Sequence, residues 1–371
     1  SETFRMRGKG NSVFFWLGSE TFRITGDDCM AATLKDVARL AGFSVTTVSR
    51  ALNGHSDVSE ETRKKIMEAA QALNYVPNRV AQQLVMGKSS AIGLYSLDRE
   101  TFQNQFITLM ISGLMDEATA HDLNLMLFAT QRLQTAEEVV MQCRQRGLGG
   151  AVISGLRIDE DLIGHLPQMD FPIVLVDVPV HGPRATYVSV DNVLGARKAV
   201  EHLVSLGHRN IGLINGHSGA WVSHQRRLGY EQGMRDSGLA IKESYIFEGD
   251  FSKESGRRGA QHLLTVNPEL TALFVASDLM AVGALEQLQA MGRGVPEDIS
   301  VVGFDDQDFA LHVSPPLTTI RQDMYVFGRL AARELIGMIN DPGYTPRHVD
   351  LPCTLVQRGS SGPVRSKEVL R

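Results

Sequence analysis

Acidic residues stand at the ends of short apolar runs in this 371-residue chain. Asp177 closes Ile-Val-Leu-Val, Asp191 follows Tyr-Val-Ser-Val, Ser277-Asp278 follow Leu-Phe-Val-Ala, and Asp305-Asp306 follow Val-Val-Gly-Phe. Arg226 and Arg227 open the segment that ends Gly229-Tyr230. Carboxylates and a guanidinium hold paired hydroxyls through charge-assisted hydrogen bonds. The rings of Trp221 and Phe251 are suited to stacking on the apolar face of a sugar. A plainer reading applies to Asp191, Asp278 and Asp306, which read as caps of the helices that follow them. The chemistry implied is binding rather than catalysis, because P-loop, GxSxG, HExxH and CxxC patterns are all absent. Adjacent Asp305 and Asp306 leave a strand on different sides, which argues against an acid–base pair. No catalytic residue, metal site or cofactor is expected.

Residues at strand ends form a site when the strands run parallel. From residue 91 onward, apolar runs alternate with amphipathic segments. Strands are predicted at 91–97, 123–129, 151–154, 173–177, 188–190, 211–215, 272–276 and 300–304, and the clearest helices at 193–206, 279–291 and 324–339. Such alternation predicts parallel sheets covered on both faces. The length of this body suits two lobes, with a ligand at the carboxyl ends of the strands in the cleft between them.

A different pattern fills residues 31–90. Thr33 with Asp36 makes a capping-box signal before an apolar stripe of Leu34, Val37, Ala38 and Ala41, and Gly42 stops it. Ser44 caps a second helix whose Val48, Ala51 and Leu52 share a face; Asn53-Gly54 ends it. Ser59 caps a third, with Glu60 and Glu61 in its first turn and a stripe of Ile66, Ala69, Ala70 and Leu73. Helices this short need one another to be stable. Two of them joined around Gly42 form a helix-turn-helix, whose second helix enters the major groove with its first turns at the base edges. Those turns hold Ser44, Val45, Thr46, Thr47, Ser49 and Arg50. An arginine reads guanine with two hydrogen bonds, and Thr or Val methyls meet thymine methyls. Spacing leaves an ordinary three-helix bundle with solvated hydroxyls equally open.

Charge agrees with a basic module ahead of an acidic body. Residues 31–90 hold eight Lys or Arg against five Asp or Glu, and residues 91–371 hold 25 against 33. Cys29, Cys143 and Cys353 form no cluster, so disulfide dependence is not expected. The longest apolar run near the start, 13–17, is too short to span a bilayer, and no signal-peptide pattern is present; a cytoplasmic protein is expected. The string Ser-Glu-Thr-Phe-Arg occurs at 1–5 and again at 19–23, and residues 1–30 read as a disordered or artefactual leader before Met30.

The stretch TLKDVARLAGFSVTTVSRALNGHSDVSEETRKKIMEAAQALNYVPNRVAQQL, from Thr33 to Leu84, resembles without a gap the DNA-binding headpiece of the lac repressor family. The resemblance continues through VSVDN (188–192), RRLGY (226–230), EGDF (248–251), VASD (275–278), ISVVGFDD (299–306) and PPLTTIRQD (315–323). It implies an all-α helix-turn-helix domain at 31–76, a hinge helix and linker at 77–90, a two-lobed α/β core like the periplasmic sugar-binding proteins at 91–358, and a polar tail at 359–371. It places Val45, Thr46 and Arg50 at base-reading positions. Asn78, Arg79, Ala81 and Leu84 would belong to a minor-groove hinge helix with Leu84 as an apolar wedge. By position, Asp177, Arg226, Phe251, Ser277, Asp305 and Met324 would contact the effector, with Ser277 and Met324 departing from the commoner Asn and aromatic residues. The function implied is a repressor that binds a palindromic operator as a homodimer, has no membrane partner, and is released by a small carbohydrate effector. The closing stretch at 351–363 is similar to members that answer to glucosides. A corepressor type, whose ligand strengthens operator binding, remains the alternative.

Overall fold

The computed structural model describes residues 32–75, 89–96, 105–129, 135–158 and 162–365, together with the backbone of three strands near the start. Those strands, β1 (Arg7–Lys9), β2 (Ser12–Leu17) and β3 (Glu20–Thr25), form an antiparallel sheet. The chain divides into two compact units, Ser1–Gly87 and Lys88–Arg371.

In the first unit the expected caps are made. Helix α1 (Leu34–Ala41) starts on a reciprocal Thr33–Asp36 capping box, in which Thr33 N–H donates to Asp36 Oδ2 at 3.0 Å, and ends at Gly42 with φ 75°. This left-handed exit, comfortable for glycine, turns the chain toward the next helix. Helix α2 (Val45–Leu52) starts at Ser44, whose Oγ accepts from Thr47 N–H at 3.1 Å. Helix α3 (Glu60–Ala72) starts at Ser59, which accepts from Thr62 N–H at 3.3 Å. Val37, Ala38, Val48, Ala51, Ile66, Ala69 and Ala70 bury together as the core of the three helices. Arg63 of α3 donates to the carbonyls of Ala51 and His55 at 2.7 and 2.8 Å, fixing the end of α2.

The second unit holds two six-stranded sheets. The first has the order β14-β8-β7-β6-β4-β5, from β4 (Ala91–Ser96), β5 (Asn124–Ala129), β6 (Leu148–Ser154), β7 (Ile173–Val176), β8 (Ala185–Val190) and β14 (Val349–Leu351). The second has the order β10-β9-β11-β12-β13-β15, from β9 (Ile211–Asn215), β10 (Ile246–Glu248), β11 (Ala272–Val275), β12 (Ser300–Asp305), β13 (Thr318–Arg321) and β15 (Thr354–Val356). All pairings are parallel except β13 with β15. Helices α4 (Gln105–Ala120), α5 (Ala136–Gln145), α6 (Leu162–His165) and α11 (Met324–Asn340) serve the first sheet; α7 (Asn192–Ser205), α8 (Trp221–Asp236), α9 (Lys253–Val266) and α10 (Asp278–Ala290) serve the second.

The chain therefore crosses between lobes three times, at Asp191 after β8, at Gln322–Asp323 after β13, and at Pro352–Cys353 after β14. Strands β10, β13, β14 and β15 were not foreseen: β10, β14 and β15 have only three residues, too few to show a period, and β13 (Thr-Thr-Ile-Arg) lacks the continuous apolar run that marks the equally short β7 and β11. Helices α4 and α11 press together through glycines: a Cβ on Gly113 would lie 2.1 Å from the Tyr325 carbonyl oxygen, and one on Gly328 would lie 2.0 Å from that of Met110. The stretch after Arg358 packs on the second lobe: Ser360 Oγ donates to the Val301 carbonyl of β12 at 2.7 Å and accepts from Thr318 N–H of β13 at 2.8 Å, and Val364 N–H donates to Leu206 C=O at 3.0 Å. Among the described residues no helix is long and apolar enough to cross a membrane, and no group of His, Cys, Asp or Glu is placed to hold a metal ion.

Candidate functional site

Helix α2 presents a local surface. Val48 and Ala51 point inward, which leaves Ser44, Val45, Thr46 and Arg50 exposed and Thr47 and Ser49 partly so. Two of these hydroxyls are already engaged, since Ser44 Oγ and Thr47 Oγ1 lie 2.8 Å apart as part of the cap. Arg50 pairs with Asp57 at 2.5 Å, both about half exposed. An exposed pair of this kind contributes roughly 0–1 kcal/mol, so the guanidinium can be exchanged to another acceptor at little cost. Asp57, in the loop after α2, was not singled out from sequence. Asn78, Arg79, Ala81 and Leu84 lie outside the described residues.

The core gathers a buried polar cluster where the lobes meet. Arg226, on the inner face of α8, donates from Nε to Asn192 Oδ1 at 2.8 Å and from Nη1 to the Ala276 carbonyl, lies 3.9 Å from Asp305 Oδ1, and stacks its guanidinium 3.8 Å above the Phe304 ring. Asp305 also accepts from Gln322 at 2.6 Å and Gln307 at 3.3 Å. Across the crossover, Asp177 accepts from Ser189 Oγ at 3.0 Å. Burial pushes the Asp177 carboxyl up to about 6, against the opposing pull of Ser189 and of Arg226. Asp305 and Asp278 are likewise raised by burial. Asp305 lies closest to the buried Arg226, with Asp177 and Asp278 acting on it at longer range, an arrangement in which further donor groups would be well received.

Backbone geometry marks the same places. Asp177 (φ 63°), Phe251 (φ 67°), Asp305 (φ 128°) and Asp306 (φ 60°) all lie in the left-handed half of φ. Non-glycine residues there store strain that surrounding structure must hold, and such residues concentrate at ligand sites. The Phe251 ring covers Gly216, where a Cβ would sit 2.0 Å from Phe251 Cζ.

The expected site residues divide. Asp177, Arg226 and Asp305 are brought together, and Ser277 adjoins them through Ala276; its Oγ accepts from Met280 N–H at 3.2 Å as the cap of α10. Trp221, the first residue of α8, instead packs against the first lobe's apolar cluster, and Met324 is buried in the core at the start of α11. Asp191 caps α7 as expected, accepting from Leu194 N–H at 2.9 Å. Asp278 and Asp306 are not caps. Asp278 accepts from Gln307 N–H at 2.9 Å and from Thr319 Oγ1 at 2.5 Å, tying three segments together, while Asp306 pairs with Arg321 and Arg358 at 2.6 and 2.5 Å. Ser277 precedes Asp278 and takes the capping position first; Asp306 has no α-helix after it to cap. Sequence reasoning missed Asn192, Ser189, Gln307 and Gln322. The motifs that contain Ser189, Asn192 and Gln322 offered a signal; Gln307 had none.

Residues 33–78 match the bacterial regulatory proteins, lacI family, and residues 200–361 match a periplasmic binding protein-like domain. The probable HTH-type transcriptional repressor ExuR of Bacillus subtilis (strain 168) is 35% identical over 312 residues, which cover 84% of this chain and 92% of that protein. The chain belongs to the lacI family. Among solved lacI-family structures, the lac repressor dimer bound to operator and the anti-inducer ONPF superposes with a TM-score of 0.79 at 30% identity, covering 90% of this chain and all of that one. The transcriptional regulator CelR–cellobiose complex gives a TM-score of 0.68 at 32% identity, covering 89% and 99%. This lacI-family chain is accordingly a transcriptional repressor with a helix-turn-helix headpiece and a two-sheet α/β core.

Proposed function

We propose that this repressor binds a palindromic operator as a homodimer in the cytoplasm, reading bases with Val45, Thr46 and Arg50, and that a small carbohydrate or glucoside effector releases it. The observation that carries the effector reading is the buried Arg226, which joins the Asn192 crossover, the Ala276 strand end and Asp305 while lying beside Asp177. A ligand seated among these groups touches both lobes and the crossover at once, so its binding free energy depends on how the lobes are set. Support comes from the relatives: the lac repressor structure is a dimer on operator, and CelR is in complex with cellobiose. Two headpieces on a two-fold axis match a palindrome.

The test is a fluorescence-anisotropy titration of labelled operator with and without sugars. Wild type releases the operator, and Arg226→Ala keeps operator binding but loses the response; circular dichroism checks that the variant is folded, and Asp177→Asn supplies a milder version. A response in Arg226→Ala at unchanged ligand concentrations refutes the site. A ligand that tightens the wild-type complex reverses the sign and makes the effector a corepressor.

A further inference from the structure

Beside the Arg226 cluster, at the crossover end of the cleft, lies a cavity of about 320 Å³ that both lobes wall. Tyr187 of β8 and Asp350 of β14 come from the first lobe, Trp221 and Gln225 from one turn of α8 in the second, and Asp191 and Asn192 from the crossover itself. Two of its walls are shared with the cluster. Ser189, which also lines it, donates to Asp177, and Asn192 accepts from Arg226. Tyr187 is held in place by His348, stacked at a ring-centroid distance of 5.5 Å and an interplanar angle of 11°, and by the edge of His181 at 5.6 Å.

The wall chemistry selects the occupant. The half-buried rings of Trp221 and Tyr187, the latter with His348 stacked on it, line the cavity as apolar surface for the C–H side of a pyranose, and carboxylates and side-chain amides accept from and donate to its hydroxyls. Asp191 and Asp350, with Asp177 and Asp305 beyond the shared wall, disfavour a phosphate or a sugar acid. The volume lies near the lower end of the roughly 300–1,000 Å³ typical of small-molecule sites, room for one ring.

We infer that the effector is an uncharged carbohydrate of at least two rings, the second seated between Trp221 and Tyr187 with hydroxyls on Asp350 and Gln225. This rests on the effector reading above, with the first ring in the Arg226 cluster. A two-ring ligand then spans the cluster and the crossover, whereas a monosaccharide leaves the crossover end empty.

Isothermal titration calorimetry on the full-length protein tests it with glucose, glucose 6-phosphate, cellobiose, maltose and 4-nitrophenyl glucosides. At least one two-ring ligand binds ten-fold or more tighter than glucose, and glucose 6-phosphate is the weakest. Asp350→Ala, at an exposed position, and Tyr187→Ala, checked for folding by circular dichroism, bring that ligand down to the glucose level and leave glucose itself unchanged; Tyr187→Phe, which keeps the ring, restores most of the difference. If two-ring binding depends on Arg226 yet ignores Tyr187 and Asp350, the effector site stands and the crossover subsite is wrong. Glucose or its phosphate binding as tightly as any two-ring ligand also overturns it. If none of these sugars binds, the effector reading itself fails, and this inference with it.

Discussion

The headpiece and the core place their chemistry in opposite ways. In the headpiece the candidate base-reading residues sit on the outside of one helix, within seven positions from Ser44 to Arg50, and local caps suffice to present them. In the core the candidate residues come from the end of β7, from α8 and from β12, with Arg226 buried and Asp177 and Asp305 half-buried, and they depend on crossovers between the lobes to meet. A surface of the first kind tolerates substitution without unfolding and changes its partner. A cluster of the second kind couples binding to the arrangement of everything around it.

That contrast predicts unequal costs. Asp278→Ala, deep in the core, leaves the Thr319 hydroxyl and the Gln307 amide without a partner. Buried groups stranded in this way cost about 1–3 kcal/mol each. The variant should lower the melting temperature of the core by several degrees; calorimetry showing an unchanged transition would mean that the Asp278 links contribute nothing to the stability of the core.

Next in size is Arg50→Ala. Discrimination between operator and altered operator should fall by about 1–3 kcal/mol, the worth of one good base contact. Stability should barely move, because the Arg50–Asp57 pair is exposed. Competition binding together with a thermal melt separates the two effects, and retained discrimination removes Arg50 from the reading surface.

A pH series sharpens the core side. Burial raises Asp177 from its ordinary 3.8 to about 6, so ionisation costs the folded chain. The cost is present in full above about 6 and is relieved as pH falls toward 3.8, so this group taken singly favours folding in mild acid. Effector affinity moves the other way: hydroxyls that donate to ionised Asp177 lose their acceptor below about 6, and affinity should drop up to ten-fold per pH unit there. A flat profile from pH 7 to 5 in wild type contradicts the role of Asp177, and Asp177→Asn should lose the part of the pH dependence that Asp177 supplies, leaving any that Asp305 contributes.

The smallest effect belongs to the headpiece. Ser59→Ala removes the cap on α3 and should destabilise the three-helix unit by about 1 kcal/mol. Chemical denaturation followed by far-ultraviolet circular dichroism would detect it. A loss above about 3 kcal/mol would mean that headpiece order is less local than its caps suggest.

The same contrast explains what was legible beforehand. Thr33, Gly42, Ser44 and Ser59 act on residues within five positions of themselves, so the sequence announced them, and the apolar stripes of the three helices named their own core. In the core, the main strands and the longest helices were legible for the same reason. Asp278 and Asp306 were misread as caps because their partners, Thr319, Arg321 and Arg358, lie between 15 and 52 positions away and are joined only by sheet topology. Asn192 and Ser189 went unnoticed because an amide and a hydroxyl have no distinctive chemistry until a guanidinium or a carboxylate is placed beside them.

The left-handed backbone at Asp305 and Asp306 bears on anyone who would retune this repressor as a biosensor. Randomising those two positions would waste most of a library, since side chains other than Asn, Asp or Gly resist that conformation whatever they offer a ligand. Ser277 at φ −156° and helical Met324 carry no such restriction. What limits change there is the side chain: Ser277 caps α10 and Met324 is buried in the core, so small capping residues at the first and apolar residues of similar volume at the second should keep the fold.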